Sequence, residues 1–238
     1  MEYENKLTFQ VYGARALFSD PVSRVGGEKF SYMFPTYQAL KGITESIYWK
    51  PSIVWRIIRV RVMNKIQMES SGIRPIRYNA NTNDLSYYTY LKDVCYHVEV
   101  QFEWNKNRPE LKNDWNEDKH FQIAKRSIEK GGRRDVFLGT RECQAYVEPC
   151  IFDEGSGHYD EEKELTFGYS FHSFIYPDEQ ENDGYQGLTA CFWRPVMKKG
   201  VIEFIQPEET ELKRNIYKST KKDFIPNENF TFTKEVIE

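Results

Sequence analysis

The stretch Val94-Cys95-Tyr96-His97-Val98-Glu99-Val100-Gln101-Phe102-Glu103-Trp104 is apolar at every even position and largely polar between. Side chains of a strand point to opposite faces in turn, so this pattern reads as a strand with one face on a core and the other polar. Working back, Ile53 to Met63 also reads as a strand, placing Arg59 and Arg61 on one face and Val60 and Val62 on the other. Before it, Pro35-Thr36 is a plausible helix start. Ala39, Leu40, Ile43 and Ile47 then recur at helical spacing until Pro51 stops the run. Leu7 to Phe18 reads as a first strand, closed by Asp20-Pro21 and a Gly26-Gly27 loop.

Working forward, a second helix is expected from Asn116 as N-cap, with Glu117 and Asp118 in the first turn and Phe121, Ala124 and Ile128 facing inward. Gly131-Gly132 ends it by permitting a left-handed conformation, and Arg141 to Phe152 returns as a strand. The order strand, helix, strand, strand, helix, strand predicts an α+β fold on the ferredoxin-like or RRM-like βαββαβ plan over residues 1–152. Past the acidic loop Asp153 to Glu164, the segments Leu165 to Tyr176, Leu188 to Trp193 and Val201 to Ile205 read as three strands of a small β-rich C-terminal subdomain, residues 153–238. The last thirty or so residues are expected to be loosely structured.

At 238 residues and 39% hydrophobic, the chain suits one sizeable domain or two small ones sharing a core. No apolar run is long enough for a membrane span, and the acidic start Met1 to Lys6 lacks the basic-then-apolar pattern of a secretory signal, so a cytoplasmic protein is expected. Cys95, Cys143, Cys150 and Cys191 form no CxxC pair, and His97, His120, His158 and His172 are scattered. Reduced thiols, no metal and no cofactor are the expectation. The carboxylates crowd turns and the C-terminal loop rather than strand ends, which argues against a metal-dependent nuclease.

The formal net charge of -3 hides strong segregation: Lys119 to Arg141 and Ser52 to Asn79 are each strongly basic, while Asp153 to Gly184 is strongly acidic. Phosphate contact depends on the local field, so a basic face can sit within a nearly neutral total. The plain alternative is that these runs solvate surfaces. Nucleic acid is the partner class indicated. RNA leads, and duplex DNA on the strand around Arg59 is a further candidate.

RNA offers a metal-free cleavage route in which its own 2'-hydroxyl attacks the adjacent phosphate. That route needs a base, a cation and an acid. Lys119-His120 falls in the first turn of the second helix, where free amides and the helix dipole favour an anion. Tyr48, at the end of the first helix, offers a phenolic hydroxyl. Gly131-Gly132-Arg133-Arg134 combines glycines that let backbone approach phosphate with forked guanidinium donors. Each has a structural counterpart: a histidine that packs its helix beside a solvated lysine, a half-buried tyrosine, and a helix stop before a solvated hairpin.

Taken together, these segments resemble the CRISPR-associated endoribonuclease of subtype I-C (Dvulg), a repeat-associated mysterious protein. Three blocks carry the likeness: Pro35-Thr36 through Ala39, Gly42-Ile43, Glu45 and Ile47-Tyr48-Trp49-Lys50-Pro51; Arg134-Asp135 with Phe137-Leu138-Gly139-Thr140-Arg141-Glu142-Cys143; and Met197-Lys198-Lys199-Gly200-Val201-Ile202-Glu203. The resemblance implies Tyr48, Lys119 and His120 as catalytic residues, metal-independent cleavage of CRISPR repeat RNA, and retention of the 5' handle within the type I-C interference complex. A non-cleaving guide-RNA scaffold is the alternative. Lys50, Arg59, Arg61, Gly131, Gly132, Arg133, Arg134 and Arg141 are the expected RNA contacts. The tyrosine-rich Asn83 to Leu91, expected between the second and third strands, is more aromatic and less basic than the resemblance implies, pointing to a different RNA sequence preference.

Overall fold

In the computed structural model, which describes residues 5–21, 27–77, 82–176 and 187–217, Tyr96, Val98, Val100 and Phe102 are at most 2% exposed. The alternating stretch does bury one face. Gly26, the acidic run beyond residue 176 and most of the C-terminal thirty residues lie outside the described residues. The elements are β1 (Lys6–Ala16), β2 (Lys29–Phe30), α1 (Tyr37–Ile47), β3 (Ile53–Val62), β4 (Met68–Ile73), β5 (Ser86–Trp104), α2 (Glu117–Glu129), β6 (Val136–Phe137), β7 (Gln144–Pro149), β8 (Leu165–Thr166), β9 (Ser170–Ile175), β10 (Leu188–Trp193), β11 (Val196–Lys198), β12 (Val201–Glu203) and β13 (Leu212–Tyr217). No helix among the described residues is long and apolar enough to cross a membrane.

The result is a mixed α/β chain built on a large antiparallel sheet with few helices. Its spine runs β6-β7-β1-β5-β3-β12-β11-β8, with β2 and β4 pairing on β5 off that path. β5 takes β1 on one side (Phe9 opposite Val98) and β3 on the other (Val60 opposite Val98). α1 packs over β3, and α2 over β1 and β7. Leu40, Ile43 and Ile47 of α1 and Ala124 and Ile128 of α2 join the same core as Phe9, Val11, Val98 and Val100. Both helix starts follow the capping chemistry expected: the Thr36 side chain accepts from the Ala39 amide and the Asn116 side chain from the Lys119 amide.

Several boundaries differ from the expectation. The tyrosine-rich 83–91 stretch does not lie between strands: from Ser86 on it is the first third of β5, hydrogen-bonded to β4. The expected strand from Arg141 to Phe152 is shorter, Gln144–Pro149, because Thr140 to Cys143 make a tight turn back from β6. Leu165 to Tyr176 is not one strand but two, β8 in the large sheet and β9 in a separate three-stranded sheet β13-β10-β9. The large sheet continues across the boundary expected at residue 152, since β12 pairs with β3 (Ile202 opposite Val60). Ile202 is fully buried, so β12 adds to the main core instead of starting a second one.

The face of β5 expected to be polar is itself partly covered. Segment 150–160 folds over it, burying Phe152, His97 and Arg61. Arg61 donates to Asp160 at 2.9 Å and to the carbonyls of Phe152, Glu154 and Gly155. A buried guanidinium requires this degree of pairing.

His172 of β9 is fully buried, stacked on Tyr37 of α1 with ring centres 4.6 Å apart. Its Nε2 lies 3.1 Å from the Ile205 carbonyl and must donate, leaving Nδ1 to accept from the Ser173 hydroxyl at 2.8 Å. Burial holds its pKa down at about 3. The unfolded chain protonates this ring below its ordinary value near 6.5, while the folded chain resists until about pH 3. The ring's contribution is therefore complete above 6.5 and declines as pH falls, by up to about 1.4 kcal/mol per pH unit. Urea unfolding between pH 7 and 4.5 should show a steeper loss for the native chain than for His172→Gln, and parallel slopes would refute the assignment.

Candidate active site

Tyr48 stands where α1 stops. Its backbone leaves the helix in an extended conformation, its amide still bonded to the Thr44 carbonyl, and its own carbonyl accepts from the Trp55 indole at 2.7 Å. That anchor from β3 fixes which way the phenol points. His120 stands where α2 begins, its amide bonded to the carbonyl of the N-cap Asn116. The large sheet brings the two helix ends together, and Tyr48 Oη lies 2.7 Å from His120 Nδ1.

Behind the histidine is Asp114, at the end of the short 3₁₀ helix Pro109–Asp114 before α2. His120 Nε2 lies 2.9 Å from the Asp114 backbone carbonyl and 3.4 Å from its carboxylate. A carbonyl only accepts, so Nε2 donates to it, which leaves Nδ1 placed to accept from the Tyr48 hydroxyl. Asp114 also accepts from the Lys119 ammonium and, at 2.6 Å, from the Ser52 hydroxyl. Those two bonds hold its carboxyl at about 2, so it is ionised at any physiological pH. Tyr48, His120, Asp114 and Lys119 thus form one connected chain.

His120 is fully buried and Tyr48 only 1% exposed. Trp104 meets the imidazole edge-on at 5.6 Å, and Trp115 stacks on Trp104. Burial raises the Tyr48 phenol above its ordinary value near 10. Asp114 adds to that rise, and Arg133, whose guanidinium lies 5.8 Å from the ring centre, opposes it. At neutral pH Tyr48 therefore keeps its proton and donates it to His120. Tyr48 lines a cavity of about 290 Å³ shared with Trp49, Lys50, Arg133 and Arg134.

The glycine-arginine loop reaches this cavity for a backbone reason. Gly131 and Gly132 hold φ of 79° and 105°, the left-handed region that suits glycine. Their amides close α2 on the carbonyls of Ile128 and Ser127, and the Arg133 amide then donates to the Ile47 carbonyl. Arg133 is thereby pinned beside Tyr48. The same loop, Lys130 to Asp135, lines a neighbouring cavity of about 410 Å³ with Tyr12 and Tyr146.

Of the expected RNA contacts, the structure gathers Lys50, Arg133 and Arg134 at Tyr48, with Gly131 and Gly132 just behind. Arg141 is exposed in the turn between β6 and β7. Arg59 and Arg61 belong to another face: Arg59 pairs with Glu99 at 3.0 Å, and Arg61 is buried on Asp160. With Arg56 also held by Glu103 and Glu208, the basic character of the β3 segment is largely matched by carboxylates distant in sequence. Reading the sequence missed Asp114 and Ser52. Their only signal was an acid just before a helix N-cap, too common a pattern to single out.

The family model for CRISPR-associated protein Cas5, of the Cas5d type, matches residues 6–205. A curated relative from Mannheimia succiniciproducens, named CRISPR pre-crRNA endoribonuclease Cas5d, is 26% identical over 88% of this chain and 99% of its own length. Another of the same name, from Thermus thermophilus, is 30% identical over 60% of this chain and 64% of its own. A solved structure described as a CRISPR-associated protein is 37% identical with a TM-score of 0.76, covering 90% of this chain and 99% of that one. With the match running through both helix ends that build the Tyr48–His120 contact, the chain belongs to the Cas5d family of CRISPR-associated proteins.

Proposed function

We propose that this chain is a metal-independent endoribonuclease that cuts CRISPR precursor RNA within its repeats. The observation that carries the reading is the 2.7 Å contact between Tyr48 Oη and His120 Nδ1, backed by Asp114 and opening on a cavity lined by arginines. The RNA 2'-oxygen attacks the adjacent phosphorus while the bond to the 5'-oxygen breaks, leaving a cyclic phosphate and a 5'-hydroxyl. The 2'-proton passes to Tyr48 Oη as the phenol's own proton moves to His120 Nδ1. Ionised Asp114 stabilises the imidazolium so formed, and the stored proton returns to the leaving 5'-oxygen. Lys119 supplies positive charge to the phosphorane, exchanging its Asp114 partner for phosphate oxygen.

The strand order β7-β1-β5-β3 with α1 and α2 in the connections supports reading the first 152 residues as a ferredoxin-like core, with the later strands extending it. After cutting, the chain keeps the 5' handle within the type I-C interference complex, in the cytoplasm. Duplex DNA is the weaker candidate, because the β3 arginines that suggested it are held by carboxylates.

Repeat RNA incubated with the chain in EDTA should be cut at one position, and a single 2'-deoxy at the scissile nucleotide should abolish cutting while binding persists. Loss of cleavage in EDTA, or cleavage of the deoxy substrate, overturns the mechanism. Tight binding without cleavage of any repeat RNA favours the scaffold reading.

A further inference from the structure

The chain has five tryptophans. Trp55 and Trp193 are buried, and Trp104 and Trp115 stack on each other at 5.7 Å. Trp49 is the exception, 50% exposed although its neighbour Tyr48 is only 1% exposed. Exposure of a single apolar ring is ordinary by itself; what sets Trp49 apart is where it stands.

The backbone that presents this ring is rigid. On one side the Tyr48 carbonyl is held by the Trp55 indole; on the other the Pro51 carbonyl accepts from the Asn105 side chain at 3.2 Å, and the Ile53 amide closes a turn on Lys50. Trp49 lines the same cavity as Tyr48, Arg133 and Arg134. An exposed aromatic face beside phosphate-matching guanidiniums is the combination that binds single-stranded nucleic acid, because every base offers a π-face and every linkage a charge. A protein partner is less favoured: the ring adjoins a polar, arginine-lined cavity and not an apolar patch.

We propose that Trp49 is a stacking platform for an unpaired nucleobase adjoining the scissile phosphate, a base-binding subsite beside the reaction centre. This rests on reading Tyr48 and His120 as the ribonuclease site. The stack turns the flanking nucleotide out of the RNA helix and so helps bring the 2'-oxygen in line with phosphorus. Its specificity is for an unpaired base, not for base identity.

The test uses the full chain and repeat RNA with 2'-deoxy at the scissile nucleotide, carrying 2-aminopurine at either flanking position. With the native chain, one flanking position should become quenched on binding. Trp49→Ala should abolish that quenching and weaken binding by about 5- to 150-fold, whereas Trp49→Phe should restore most of both. The ring is exposed, so circular dichroism of the alanine variant should match the native chain. If the native chain cuts unmodified RNA while Trp49→Ala binds with native affinity and unchanged 2-aminopurine signal, the platform is refuted and the ribonuclease reading stands. Native RNA binding by Trp49→Ala together with lost association with the other complex subunits refutes it in favour of a protein contact. If the native chain cuts nothing but quenching still depends on Trp49, the ribonuclease reading fails and base stacking survives.

Discussion

Tyr48→Phe should cut repeat RNA about 10²- to 10⁴-fold more slowly in single turnover, with RNA affinity nearly unchanged. The substitution removes one oxygen from a buried ring whose packing and backbone anchor to Trp55 remain, so the fold is retained. His120→Ala should fall in the same range, again without loss of affinity, because the imidazole is fully buried behind the phenol and does not line the cavity. The double variant decides between two accounts. If the residues act independently at opposite ends of the scissile bond, their losses multiply. If they form one proton path through the 2.7 Å contact, removing either breaks it and the double variant is little slower than the worse single one. The geometry favours the second outcome. A raised phenol pKa makes Tyr48 a poor base alone, and His120, unlike Tyr48, does not line the cavity.

Gly139→Ala should be the most destabilising glycine-to-alanine change among the described residues, by about 4 kcal/mol or more, enough to prevent recovery of folded protein. Gly139 holds φ of 98°, and a Cβ there would lie 2.0 Å from the Leu17 carbonyl oxygen and 2.7 Å from its carbon. Both obstacles are backbone, so no side chain can swing away. Leu17 is fastened to the same turn by its amide bond to the Leu138 carbonyl, so relief requires the end of β1 to part from the β6–β7 turn. Gly42→Ala is the contrasting case. This glycine lies in the interior of α1, exposed, with nothing within 4 Å of a new Cβ, so the change should add about 0.5 to 1 kcal/mol through helix propensity. Urea unfolding of both variants checks the opposite signs; a stable, folded Gly139→Ala chain would overturn the account of that turn. The family-marker block Phe137 to Cys143 thus has a steric basis apart from any RNA contact.

Features legible in the sequence were those set by forces within a few residues. Alternation along 94–104 specified the later part of β5 and its buried face, the side chains of Thr36 and Asn116 marked two helix starts, and Gly131-Gly132 marked a helix end. These depend on backbone geometry and local hydrogen bonds, which the residue order states directly. The proposed catalytic trio Tyr48, Lys119 and His120 was legible only through resemblance. Taken alone, Lys119-His120 and Tyr48 were as well explained by packing, and the structure does bury both rings.

What tertiary structure alone decided were the contacts between distant segments. Asp114 binds Lys119 from a nearby turn, but Ser52 reaches it from just before the adjacent strand β3, and Tyr48 meets His120 only because β3 and β5 bring the two helix ends together. The strongly basic β3 segment suggested a nucleic-acid face, yet Arg56, Arg59 and Arg61 find Glu208, Glu99 and Asp160. The charge of a segment is local, but the field it presents depends on which carboxylates the fold sets against it. Likewise β12 continues the main sheet because β3 would otherwise leave an unpaired edge there, a demand of sheet hydrogen bonding that no local pattern in Val201-Ile202-Glu203 records.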